Sequence, residues 1–314
     1  MTLTTYGPLL DALRGVRWPA RRAVDAALPG AHRNVQRGAT GEFTEYRLYR
    51  QGDDPRRMDW KLLARSDRAF VRLTDDRTLL PTWFVVDASA SMSFPAIDPR
   101  HPDVPTKWSA ACNVTVGLAS VANASGDPIG LMTTGLHGPV HLSARARRGT
   151  VGELARALER VSVGADTALA PLLTALPARA RVVVISDLLG DGDAVLRAAS
   201  QRIVAGGIVE CVHVVAREEL VLPAGTRLAR DPEARTVART ISPEGLAEYR
   251  ARFDAFRAVC AQRWRAAGAG YVEAITDVSV PRLVRQIVAG QGRATSRDDP
   301  FRDTVRDAKG VERR

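Results

Sequence analysis

The sequence predicts an α/β protein built on a Rossmann-like, doubly wound, mostly parallel sheet with helices on both faces. From residue 80 onward, short apolar runs alternate with longer segments of helical periodicity, a pattern typical of parallel sheets. The runs at 83–86 (WFVV) and 182–185 (VVVI) lack the polar alternation of a half-exposed strand. Both runs are therefore expected to be strands buried on both faces.

The predicted elements alternate along the chain. The last helix is the best defined, because Ser242 and Pro243 suit its N-cap and first turn. Its apolar residues recur every three or four positions, which predicts a stripe packed in the core: Leu246, Tyr249, Phe253, Phe256, Cys260 and Trp264. Strands are expected at 82–87, 128–133, 181–187, 208–214 and 271–275, and helices at 107–124, 151–161, 168–176, 193–204 and 243–267.

Three parts of the chain are predicted around this pattern. Residues 1–79 form an N-terminal extension with a charged and aromatic leader at 41–73, residues 80–289 form the main domain, and 290–314 form a flexible tail. A hairpin is expected as an insertion between 218 and 241. The leader's charges could form either a structural network or a partner surface, and they comprise Asp53, Asp54, Arg56, Arg57, Asp59 and Arg65, with Trp60 among them.

Composition narrows the function classes. The formal charge of +10 comes almost wholly from scattered arginines, with no basic and aromatic run to stack bases, so nucleic-acid binding is the weaker interpretation. No apolar run approaches the roughly 18 residues of a membrane helix, and early arginines interrupt any secretory signal. Three distant cysteines match neither a disulfide framework nor a zinc site. The cytoplasm is the expected compartment.

Oxygen-bearing side chains follow the strand at 82–87. Asp87, Ser89 and Ser91 stand at alternate positions where the carboxyl end of a parallel strand opens towards ligands. Hard oxygen donors suit Mg²⁺ or Mn²⁺. A metal-free turn, in which both serines cap the following backbone, is the alternative.

Two later positions could complete this site. Asp187 follows the buried strand at 182–185, so its carboxylate is expected at the same edge of the sheet. Thr167 lies in a turn that opens a helix, where it could instead be a simple N-cap. Asp166 beside it could cap the same helix or lie near the metal.

The spacing of Asp87, Ser89 and Ser91, then Thr167, then Asp187 resembles the metal-ion-dependent adhesion site of von Willebrand factor A domains. The leader GEFTEYRLYRQGDDPRRMDWKLLAR followed by DASASM is similar to the bacterial family of domain of unknown function fifty-eight, over about residues 35–289. The resemblance implies that both serines ligate the ion directly, Thr167 directly or through water, and the two aspartates largely through water. Asp166 departs from the glycine usual before the threonine.

These observations predict a non-enzymatic, Mg²⁺-dependent protein-binding module whose partner presents a carboxylate to the ion. The resemblance implies a MoxR-type AAA ATPase as the partner, in chaperone-like assembly or activation of protein complexes. A metal-assisted hydrolase is the alternative, with Asp166 as its visible candidate base. The five histidines form no metal pattern or triad, and His213 is expected in the core.

Overall fold

The computed structural model describes residues 6–18, 42–50, 55, 58–66, 68–75, 80–96, 104–164, 168–222, 228–230, 238–240 and 242–290. By their internal contacts, residues 20–79 form one compact unit, and Met1–Pro19 together with Leu80–Arg314 form another. The predicted flexible tail lies outside the described residues, apart from Gly290.

The described residues form ten strands and nine α-helices. The strands are β1 (Glu42–Leu48), β2 (Phe70–Asp75), β3 (Thr82–Val86), β4 (Ile129–Thr133), β5 (Val140–Arg145), β6 (Arg181–Ser186), β7 (Ile208–Val215), β8 (Leu228–Arg230), β9 (Ala238–Thr240) and β10 (Gly270–Ile275). The helices are α1 (Gly7–Ala12), α2 (Trp60–Ser66), α3 (Lys107–Ala124), α4 (Thr150–Glu159), α5 (Leu169–Thr174), α6 (Gly192–Val204), α7 (Arg217–Leu220), α8 (Pro243–Ala266) and α9 (Val280–Val288).

The smaller unit pairs β1 and β2 antiparallel, with α2 between them in sequence. Asp59 caps α2, because its Oδ1 accepts the backbone N–H groups of Lys61 and Leu62 at 3.0 Å each. The neighbouring Trp60 is 61% exposed. Both interpretations of the leader's charges, a structural network and a partner surface, stay predictions. Four of these charged residues lie outside the described residues: Asp53, Asp54, Arg56 and Arg57.

The larger unit contains a six-stranded sheet in the order β10-β7-β6-β3-β4-β5. Every neighbouring pair is parallel except β4 and β5. Counted along the chain within this sheet, the order is 3-2-1-4-5-6, that of a doubly wound Rossmann-like sheet. The predicted fold class is confirmed. Edge strand β5 was not predicted, although VHLSAR alternates apolar and polar residues as a half-exposed strand does.

Helices cover both faces of this sheet, as predicted. Phe84 and Val86 of β3 belong to a core that includes residues of α3, α4 and α9 and contacts α1. Trp83 and Val85 belong to a second core, which includes residues of α5, α6 and α8. All four side chains are at most 6% exposed, so β3 is buried on both faces.

The long helix and the hairpin before it match their predicted positions, but only the second half of the predicted apolar stripe lies in the core, since Leu246, Tyr249 and Phe253 are half-buried outside it. Ser242 caps α8, since its Oγ accepts the Gly245 N–H at 3.1 Å. Trp264 is 2% exposed in the core, with Phe256 and Cys260 packed partly against it. Strands β8 and β9 form the predicted antiparallel hairpin.

None of the described helices has the length and apolar character needed to cross a membrane.

Candidate functional site

Two predicted site residues emerge side by side from the middle of the sheet. Asp87 follows β3 and Asp187 follows β6, and these strands are parallel neighbours with Val86 opposite Ile185. The Asp87 N–H donates to the Ile185 carbonyl at 2.9 Å, which extends the pairing to the strand ends. The strand order reverses direction between β3 and β6, and doubly wound folds bind ligands at this switch point.

Asp87 is a buried carboxylate whose two oxygens are both hydrogen-bonded. Oδ1 accepts the Ser89 N–H at 2.9 Å, and Oδ2 accepts the Ser186 hydroxyl at 2.7 Å. Burial raises the pKa of Asp87, and the neighbouring charge of Asp187 raises it further, against the opposing effect of the hydrogen bonds. The loop is fixed from its other side by β4, because the Ala88 N–H donates to the Thr134 hydroxyl at 2.8 Å.

The two predicted hydroxyl ligands lie together. Ser89 Oγ and Ser91 Oγ are 3.1 Å apart, at the start of a single 3-10 turn, Ala90–Ser93. Ser89 occupies the N-cap position of that turn, yet its side chain makes no capping hydrogen bond. The Ser89 hydroxyl therefore pairs with that of Ser91 rather than capping the following backbone, and both the metal-bound and the metal-free interpretations stay predictions.

The third predicted hydroxyl cannot be placed, since Thr167 and Asp166 lie outside the described residues. The segment that leads to them is tied to the Asp87 loop. The Gly164 N–H donates to the Ala88 carbonyl at 2.8 Å, and the Leu136 N–H donates to the Ser162 carbonyl at 2.9 Å. The roles of Thr167 and Asp166 remain predictions.

Asp187 is held by a lysine that sequence reasoning missed. The Lys107 ammonium lies 2.7 Å from Asp187 Oδ2 and 2.9 Å from Glu219 Oε1. The Lys107 side chain is 1% exposed, Asp187 2% and Glu219 10%. Burial alone lowers the pKa of Lys107, but the two carboxylates together raise it above its ordinary value, so the ammonium stays charged.

One sequence signal pointed to this lysine. The chain has 45 lysines and arginines, and only Lys61, Lys107 and Lys309 are lysines. A lysine at the first position of α3 stands out in an arginine-rich chain. Glu219 carried no comparable signal, because it lies 112 residues from Lys107 in the sequence.

The loop after Asp187 is strained and presents an apolar side chain to solvent. Leu188 has φ 58°, a left-handed conformation that costs a non-glycine residue about 1–2 kcal/mol. The Leu189 N–H donates to Asp187 Oδ1 at 3.2 Å. Leu188 is 5% exposed in the core, whereas Leu189 is 47% exposed. Strain of this kind persists where surrounding contacts impose it, often at functional sites.

Two observations fit a divalent cation. The hydroxyl oxygens of Ser89 and Ser91 hydrogen-bond each other at 3.1 Å, a spacing that is also compatible with the roughly 3.0 Å between neighbouring oxygens of an octahedron with bonds of about 2.1 Å. Asp187 and Glu219 share one ammonium, that of Lys107, and Asp87 is a third buried carboxylate beside Asp187, which leaves an excess of negative charge when all are ionised. Within the described ranges, no cluster of three or more His, Cys, Asp or Glu could hold a metal, so the fit depends on the hydroxyls.

His213 confirms its predicted core position. It is 1% exposed, and its Nδ1 lies 2.5 Å from the Tyr271 hydroxyl. Burial lowers the pKa of His213 to about 4. The imidazole is therefore neutral near pH 7 and engaged with Tyr271.

A family model described as "Protein of unknown function DUF58" matches residues 45–263. Uncharacterized proteins of Mycobacterium bovis and Mycobacterium tuberculosis are each 29% identical over 280 residues, which cover 86% of this chain and 85% of each relative.

Several solved structures are similar to the chain. BatB from Bacteroides thetaiotaomicron gives a TM-score of 0.42 at 17% identity, covering 67% of this chain and 97% of that one. An aerotolerance-related membrane protein from Bacteroides fragilis gives 0.42 at 14% identity, covering 68% and 98%. The SpRpn10 VWA domain gives 0.38 at 13% identity, covering 70% and 100%.

Proposed function

The chain belongs to the family of proteins of unknown function DUF58, and we propose that it is a non-enzymatic, Mg²⁺-dependent protein-binding module. The observation that carries this proposal is the pair of serine hydroxyls 3.1 Å apart, beside two buried aspartates at the switch point of the sheet. The partner is expected to present a carboxylate to this site.

The residues around the site would contact the ion in two ways, directly and through water. Ser89 and Ser91 would hold Mg²⁺, or Mn²⁺, directly, with Thr167 as a further hydroxyl. A bound ion would supply positive charge and an open coordination position for an anionic oxygen. Asp87 and Asp187 would act largely through water, which agrees with the hydrogen bonds that already occupy all four of their oxygens.

Apolar side chains flank the site and extend the proposed binding surface. Leu136 follows β4 and is 57% exposed, and Leu189 follows β6 and is 47% exposed. These strands are the two neighbours of β3, so the leucines stand on opposite sides of the Asp87 loop. A partner segment with apolar residues beside its acidic side chain would bury this surface and gain specificity from it.

A MoxR-type AAA ATPase is the proposed partner, on the family resemblance alone. Recovery of such an ATPase by the wild-type chain should require Mg²⁺ and should be lost in EDTA and with D87A. Recovery that is equal with and without the metal would contradict the mechanism. A direct titration with Mg²⁺ and Mn²⁺ tests the site itself, because D87A should lose the binding that the wild type shows.

Catalysis is not proposed, because the side chains that the structure describes around the site include no evident general base, and Asp166, the candidate base, lies outside the described residues. His213 is 1% exposed and contacts Tyr271, and both oxygens of Asp87 and Asp187 accept hydrogen bonds. A hydrolase would need an available base within hydrogen-bond reach of its water. Metal-dependent turnover of phosphoesters or peptides that D87A abolishes would overturn this proposal.

A further inference from the structure

We propose that Lys107 determines how Asp187 takes part in the candidate metal centre. Its ammonium keeps the carboxylate from ligating a divalent cation directly and so favours Mg²⁺ over Ca²⁺. Lys107 is thus a positioning residue that acts through Asp187. The inference rests on the proposed function only for the presence of a cation site.

Both oxygens of Asp187 are already committed to contacts within the chain. Oδ2 lies 2.7 Å from the Lys107 ammonium, and Oδ1 accepts the Leu189 N–H at 3.2 Å. The carboxylate is 2% exposed, so it cannot exchange these contacts for water without reopening the loop. Direct ligation of a cation would have to compete with a charge-assisted hydrogen bond in a buried place.

Lys107 is fixed at both of its ends. Its backbone N–H donates to the Phe94 carbonyl at 2.8 Å, where α3 begins. Its ammonium is shared with Glu219, whose other oxygen accepts the Ala216 N–H at 2.8 Å. The side chain is 1% exposed, so withdrawal of the ammonium would leave buried carboxylates without a counter-charge.

This arrangement has a consequence for cation choice. Ca²⁺ takes six to eight oxygens and gains from direct, often bidentate, carboxylates, whereas Mg²⁺ keeps several waters and binds few carboxylates. When Lys107 restrains Asp187, the site offers a cation two direct ligands, the hydroxyls of Ser89 and Ser91. The charge of the Asp187 carboxylate then acts on the cation only through water. Such a site disfavours Ca²⁺ more than Mg²⁺.

The test is a charge-matched double variant, K107M/E219Q. It removes one positive and one negative charge, so the net charge of the buried cluster is unchanged while Asp187 Oδ2 loses its ammonium. Calorimetric titrations with CaCl₂ and MgCl₂ should show Ca²⁺ affinity rising on the order of tenfold relative to Mg²⁺ affinity. Circular dichroism establishes that the variant is folded.

The variant D127N is the matched control. Asp127 and Arg181 form a buried ion pair at 3.2 Å at the amino end of β6, about 20 Å along the strand from Asp187. D127N should leave the preference between the two cations unchanged. E219Q alone leaves the contact between Lys107 and Asp187 in place, so it should also leave the cation preference unchanged. This single variant tests the inference even if the double variant does not fold.

The outcomes separate this inference from the proposed function. An unchanged cation preference in the folded double variant, with wild-type Mg²⁺ binding intact, overturns the role of Lys107 alone. A wild type that binds neither cation, beside a double variant that binds Ca²⁺, supports the role of Lys107 and overturns the proposed function. Absence of binding in both proteins overturns both, and a Ca²⁺ preference gained by E219Q contradicts the role of Lys107.

Discussion

Lys107 Nζ lies 2.7 Å from Asp187 Oδ2 although the two residues are 80 positions apart, and their side chains are 1% and 2% exposed. This buried pair joins the first turn of α3 to the end of β6. Because the Lys107 N–H also donates to the Phe94 carbonyl, the pair ties the end of the 3-10 turn Ala90–Ser93 to Asp187 of the candidate site.

Removal of this ammonium should destabilise the fold. K107M leaves Asp187 and Glu219 buried without their shared counter-charge, and loss of one partner of a buried ion pair costs about 3–5 kcal/mol. Urea denaturation should show a lower free energy of unfolding, while the slope of that free energy against urea concentration stays unchanged. R263M is the control, since the Arg263 and Asp193 side chains are 51% and 60% exposed and their pair should matter little. Equal stability of K107M and R263M would contradict this account.

Acidification should weaken the fold through His213. Burial lowers its pKa to about 4 in the folded chain, against about 6.5 when unfolded. Between these values the unfolded chain binds more protons, so the free energy of unfolding falls as pH falls from about 6.5 towards 4. The full shift corresponds to roughly 3 kcal/mol.

The variant H213Q tests this contribution, because glutamine can still contact the Tyr271 hydroxyl but cannot titrate. Denaturation of both proteins at pH 7 and pH 5 should show a smaller loss for H213Q. A pH dependence identical to that of the wild type would mean that other groups carry the effect.

The sequence predicted the main-domain elements where periodicity follows burial. The runs at 83–86 and 182–185 are strands because both faces of each are covered, and the prediction of α3 at 107–124 agrees with its bounds. Strand β5 was missed although its apolar and polar residues alternate, because the sequence prediction relied on continuous apolar runs. Helix α9 was missed as well, although Leu283, Val284 and Ile287 recur at helical spacing and are buried, so the sequence did carry its signal.

The candidate site was predictable only in part. Asp87, Ser89, Ser91 and Asp187 were predicted because parallel strands end at one edge, so adjacency followed from the fold. The contacts of Lys107 and Glu219 were not predicted, because they span 80 and 112 residues of sequence and depend on where α3 and α7 pack. No periodic pattern records a pairing of that kind.

Leu189 should contribute to partner binding without contributing to metal binding. It is 47% exposed beside Asp187, and burial of a leucine side chain against a partner is worth about 1.5–3 kcal/mol. L189S should weaken Mg²⁺-dependent partner binding at least tenfold and leave the Mg²⁺ titration unchanged. V259S is the control, because Val259 on α8 is 48% exposed but lies outside the loops around Asp87. Equal losses in the two variants would exclude a specific role for Leu189.

Loss of the Asp87 charge should weaken metal binding without lowering the stability of the fold. D87N keeps the shape of the side chain and removes a buried charge whose burial raises its pKa, so the free energy of unfolding near pH 7 should not fall in the absence of metal. Mg²⁺ affinity should fall by roughly 10- to 100-fold, since the site would lose the charge of the carboxylate that accepts the Ser89 N–H.

The opposite result is expected at the other end of the sheet. Burial raises the pKa of Asp127 as well, but D127N should lower stability, because it removes the carboxylate charge that faces the buried Arg181 guanidinium, and it should leave Mg²⁺ affinity unchanged. Paired calorimetry and denaturation on the two variants measure both quantities. If D87N and D127N behaved alike in both measurements, Asp87 would be a structural acid, and the carboxyl ends of β3 and β6 would not form a cation site.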